Sequence, residues 1–136
     1  MPIVTDSGFV FADETDALLS LDAMLSGGGD PAGGLEIAND TDPRDLVPHF
    51  EAVGLIAVTF PNFADGRGFS LARRLRALGY KGRLRAKGHV ISDQYPMARA
   101  CGFDEVEIDE TLAARQPEQH WLAVATRSGH ALQARA

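Results

Sequence analysis

At 136 residues with a net charge of −6, the chain has the size of one domain able to bury its core unaided, and its single cysteine, Cys101, excludes internal disulfides and any cysteine-built zinc or iron–sulfur site. No charged-then-apolar leader opens it and no apolar run nears the ~20 residues that cross a bilayer, so a cytoplasmic protein without a membrane partner is expected. Charge is spread unevenly: eleven acids and one base in residues 1–60, two acids and nine bases in 61–102, six acids and three bases in 103–136. The basic middle third suits an anionic ligand or an acidic partner surface, or is the solvated face of two helices and a strand. The acidic whole, without aromatics interleaved among the bases, argues against nucleic acid.

In chain order, Ile3-Val4 and Gly8-Phe-Val-Phe11 read as short extended pieces. A helix is expected over residues 13–25, capped by Asp13, with apolar residues at 18, 21, 24 and 25 forming one buried stripe. Ser26-Gly-Gly-Gly-Asp-Pro-Ala-Gly-Gly34 ends it as a flexible loop. Regular strand-then-helix units follow. Leu35-Glu-Ile-Ala38 precedes a helix over 43–53, with Asp42 as cap and Pro43 at the first position. Leu55-Ile-Ala-Val-Thr-Phe60, six residues without a charge, reads as a strand buried on both faces, followed by a helix over 70–78. Arg83-Leu-Arg-Ala-Lys87 precedes a helix over 92–101, and Val106-Glu-Ile108 precedes helical signals over 111–126 that Pro117 divides. The expected fold is therefore α/β, about four βα units with a mostly parallel sheet, open or half-barrel-like. Residues 1–136 form one domain: an N-terminal appendage and Gly-rich loop over 1–34, the βα core over 35–110 and a helical segment over 111–136. A half-barrel leaves apolar strand edges, which keeps a homodimer open.

Strand ends are where α/β folds bind ligands, and three loops converge there. They bring Asp65, Gly66, Arg67 and Gly68, then Gly88, His89, Ser92, Asp93 and Gln94, then Asp109 and Glu110. Arg67, between two glycines and just before the helix at Ser70, either holds an oxyanion or partner carboxylate with two parallel hydrogen bonds or pairs with Asp65 to shape the loop. His89 suits proton transfer near neutrality, with Asp65 and Asp93 as further acid–base candidates; Ser92 or Asp93 alternatively caps the next helix. Arg85 and Lys87 share a strand face by period-two spacing, and if buried they need acidic or anionic partners. Arg99 stands ready to join them. Cys101 reads as a buried structural thiol and Trp121 as a packing residue, and the histidines lack paired metal-ligand spacing. Gly27-Gly-Gly29 with Ala32 formally fits G-x-G-x-x-A but follows a helix and precedes a strand, and no Walker loop occurs. No bound nicotinamide, flavin or ATP is therefore expected.

The run from Leu55 through Asp65-Gly-Arg-Gly-Phe-Ser70 to Arg76, with Gly82-Arg-Leu-Arg-Ala-Lys-Gly-His-Val-Ile-Ser-Asp-Gln94 and Cys101-Gly-Phe-Asp104, resembles a bacterial family of uncharacterised proteins often labelled as a probable oxidoreductase of sulfite reduction. The resemblance covers roughly residues 35–110. It implies a place in assimilatory sulfur metabolism beside sulfite reductase-type enzymes. Asp65, Gly66, Arg67, Gly68, Ser70, Arg85, Gly88, Asp93 and Gln94 match its pattern, and His89 lies outside it. With one cysteine and no nucleotide motif, the residues suit an accessory role: docking on a reductase, or binding a small oxyanion through Arg67, Gly66, Gly68, Ser70, Arg85, Lys87 and Gln94. The rivals are a small cofactor-independent enzyme using Asp65, His89 or Asp93, and a structural homodimer.

Overall fold

The computed structural model describes residues 2–11, 18–27 and 33–127. Seven strands form one sheet: β1 (Pro2–Thr5), β2 (Gly8–Phe11), β3 (Leu19–Ser20), β4 (Leu35–Ile37), β5 (Leu55–Phe60), β6 (Arg83–Gly88) and β7 (Glu105–Glu107), in the order β2-β1-β7-β6-β5-β4-β3. The five strands from β3 to β7 are parallel and lie side by side in chain order, as successive crossovers require. The N-terminal hairpin, expected within an appendage, is built into the sheet: Ile3 and Val4 pair antiparallel with Glu107 and Val106.

The helical elements are α1 (Leu21–Leu25), α2 (Arg67–Ala77), α3 (Tyr95–Cys101), α4 (Glu110–Arg115) and α5 (Glu118–Arg127), with 3-10 turns over Pro43–His49 and Ser92–Gln94. Asp42 caps the first turn by accepting from Arg44 N–H, with Pro43 at its start as expected, but the segment is 3-10 and ends at His49. Pro117 does separate α4 from α5. The expected long N-terminal helix is corrected. Residues 13–17 lie outside the described residues, Leu19–Ser20 pairs with β4 as a strand, and only 21–25 is helical, capped by Ser20. No residue of α1 is fully buried, and Leu25 is exposed.

Register places Leu35, Ile37, Ile56, Val58, Leu84, Ala86, Val106 and Val4 on one sheet face. There they join Leu71, Ala72 and Leu75 of α2, Ala98 and Cys101 of α3 and Trp121 of α5 in the core. The opposite face, on which no described helix packs core residues, carries Glu36, Ala57, Thr59, Arg83, Arg85, Lys87, Glu105, Glu107 and Ile3. Arg85 on that face is nevertheless fully buried. It lies among the carboxylates of Glu105 and Glu107 on the same face.

Candidate functional site

The loop after β5 is locked from within. Asn62 Oδ1 accepts from Ala64 N–H at 2.9 Å, and the Asp65 carboxylate accepts from Arg67 N–H, from Arg67 Nε at 3.0 Å, from Arg67 Nη2 at 2.8 Å and from Asn39 Nδ2 at 3.0 Å. The Arg67 side chain, then its backbone amide, then Asn39 hold the Asp65 carboxyl well below the ordinary carboxylate range. Helix α2 begins at Arg67, three residues before the expected Ser70. Gly68 is fixed by packing, since a Cβ there would collide with the Phe60 ring.

The loop after β6 turns on Gly88, whose φ of +118° and approach to the Phe60 carbonyl, 2.7 Å from where a Cβ would sit, admit only glycine. His89 N–H then donates back to Phe60 O. The helix-capping expected of Ser92 or Asp93 falls to Gln94: its Oε1 accepts from Ile91 N–H, while its Nε2 donates to Phe63 O at 2.8 Å, bracing the two loops together. Ser92 is buried and donates its amide to Gln116 Oε1 at 2.6 Å; Asp93 is exposed.

These loops make two depressions rather than one site. A cleft of about 250 Å³ is lined by Phe63, His89, Ile91, Asp109, Thr111, Leu112, Arg115 and Gln116, and a second of about 240 Å³ by Asn39, Asp40, Thr41, Arg67, Ser70, Leu71 and Arg74. Of the acid–base candidates only His89 lines the first; Asp65 and Asp93 do not. Asp109 caps α4 by accepting from Leu112 N–H.

Arg85 and Lys87 do share a strand face, and their partners are the protein's own acids. Arg85 donates from Nε to Glu105 at 2.6 Å and from Nη1 to Glu107 at 2.9 Å, while Lys87 bonds Glu36 and approaches Glu107. The same holds across the basic third. Arg67, Arg74, Arg76, Arg83, Arg85, Lys87 and Arg99, seven of its nine bases, pair with Asp65, Asp42, Asp104, Glu105, Glu107, Glu36 and Asp6. Most of those acids come from the flanking thirds, so the basic island is largely the complement of the acidic flanks. Arg76, which sequence reasoning did not single out, donates to the carbonyls of Tyr80, Gly82 and Gly102 and to Asp104, joining three chain segments. Arg99 joins Asp6 and the Phe103 carbonyl instead of the Arg85 cluster. Its i+4 spacing to Phe103 is local, but its pairing with Asp6 had no local signal.

The architecture is that of an α/β protein with helices packed on one sheet face and clefts where its parallel strands end. Residues 34–134 match the model of a family described as bacterial protein of unknown function (DUF934), and the chain belongs to that family. A comparison with curated proteins finds no match. Among the described residues no helix is long and apolar enough to cross a membrane.

Proposed function

We propose that this chain is an accessory protein of assimilatory sulfite reduction that docks on a reductase-type enzyme through the C-terminal edge of its sheet. The observation that carries docking is Phe63. The residue is 60 % exposed although its carbonyl is held by Gln94 and its neighbour Ala64 by Asn62, so a hydrogen-bonded loop presents an aromatic residue to solvent. Aromatic anchors beside arginines are the usual energetic centres of protein interfaces, and Arg67, His89 and Arg115 all lie on the loops and helix at this edge. Docking is favoured over capture of a small oxyanion because Arg67 is already bound by Asp65, whose negative charge an incoming anion would meet. The link to sulfite reduction rests on the family resemblance, whose two motif segments, 65–70 and 88–94, both fall at this edge.

The test is affinity capture of the tagged protein from cells grown on sulfate as sole sulfur source, read by mass spectrometry. The reading expects a sulfite reductase component to be recovered with the unchanged chain and lost with Phe63→Asp. Recovery of the chain alone, or a component retained by Phe63→Asp, overturns it.

A further inference from the structure

We propose that the cleft between Phe63, His89 and α4 is a binding site for a small carboxylic acid with an apolar body. It shares Phe63 with the docking edge but stands on its own observations. The first is charge: Arg115 and His89 line this cleft together, and neither side chain has an ion pair or hydrogen bond to any described residue. A guanidinium left exposed at the rim of a concave site is a ready donor pair for a carboxylate.

The second is the lining. Phe63, Ile91 and Leu112 supply an apolar surface, and the polar groups other than Arg115, His89 and Thr111 are already committed: Asp109 to Leu112 N–H at 2.7 Å and Gln116 to Ser92 N–H at 2.6 Å. The fixed charge of Asp109 argues for a ligand whose carboxylate sits toward Arg115, at the other end of α4, with its hydrocarbon toward Phe63.

The third is rigidity. Gln94 holds the Phe63 carbonyl, Gln116 holds the loop after β6, and Trp121 Nε1 donates to the Gln116 carbonyl at 2.8 Å, so the walls are set before any ligand arrives. Size then limits the occupant. About 250 Å³ lies below the ~300–1,000 Å³ of drug-sized sites, which leaves room for one ring or a branched chain bearing a carboxylate and excludes a nucleotide or flavin.

The experiment titrates the isolated full-length protein with 3-phenylpropionate and, separately, with its uncharged amide, following backbone amide resonances. Because no partner is present, its failure is distinct from a failure of docking. Saturable shifts confined to Phe63, His89, Ile91 and residues 111–116 are expected, with binding weakened about tenfold or more in Arg115→Gln and in the amide. Arg115 is exposed and unpaired to any described residue, so its substitution leaves the fold intact, which the unchanged remainder of the spectrum verifies. Absence of saturable shifts, equal binding of acid and amide, or undiminished binding by Arg115→Gln overturns the proposal.

Discussion

Replacing Arg85 by methionine tests the charged sheet face most directly. The side chain is 1 % exposed and bridges Glu105 and Glu107, themselves 11 % and 8 % exposed. Methionine fills a similar length but leaves two buried carboxylates with, among the described residues, Arg83, 53 % exposed, and the more distant Lys87 at 3.9 Å for compensation. Removing one partner of a buried ion pair costs about 3–5 kcal/mol, because the remaining charge keeps its desolvation penalty. For a chain of this length that lowers Tm by about 12–20 °C. Urea unfolding followed by the fluorescence of Trp121, the chain's one tryptophan and a core residue, measures it. The companion Arg85→Met/Glu105→Leu/Glu107→Leu removes the stranded charges as well and is expected to recover most of the loss. A single variant that loses less than about 1 kcal/mol, or a triple variant no better than the single, would refute the account of a buried, mutually dependent ladder.

Two further outcomes follow from the geometry. Gly88→Ala forces a side chain into a left-handed backbone and against the Phe60 carbonyl, so a loss of more than about 1 kcal/mol in the same urea assay is expected, with the loop carrying His89 displaced. The buried Tyr80 phenol donates to the Val53 carbonyl at 2.9 Å, and burial pushes its pKa from 10.0 up to about 12. A folded pKa raised above the unfolded one means stability that is whole below about pH 10 and drains away as pH rises toward 12, worth about 3 kcal/mol; burial, then the bond to Asp6, shifts Tyr95 in the same direction. Alkaline unfolding should therefore coincide with tyrosinate absorbance, and Tyr80→Phe should flatten the loss over that range while lowering stability at neutrality.

The βα core was legible because its signals are local. The charge-free run Leu55–Phe60 and the Asp42-Pro43 start each declare an element without help from the rest of the chain. Strand β3 was not legible: two residues carry no periodicity, and Leu18, Leu21, Met24 and Leu25 happen to fit a helical stripe, so pairing with β4 overrode the pattern. The helix after β5 was expected from Ser70, with Gly66 and Gly68 read as room for a ligand; it begins at Arg67, and the glycine at 68 is set by packing against Phe60. At the strand ends the residues were named but their grouping was not. The last strand was expected from Val106, one residue late, which left Glu105 outside the sheet and hid the alternation Glu105, Glu107 that answers Arg83, Arg85 and Lys87. Phe63 and Arg115 were missed because exposure, and for Arg115 the absence of a partner among the described residues, are properties of the folded surface alone.

The pairing of Val4 with Val106 carries a consequence for how the molecule comes into being. Strands β3 to β7 meet neighbours close in sequence. The hairpin of β1 and β2 instead meets β7, its other neighbour among the described strands, about a hundred residues further along the chain. The tie from Asp6 to Tyr95 and Arg99 spans a similar length of chain. The β7 side of the sheet is therefore closed by contacts that cost more chain entropy to form than those between any two neighbouring parallel strands.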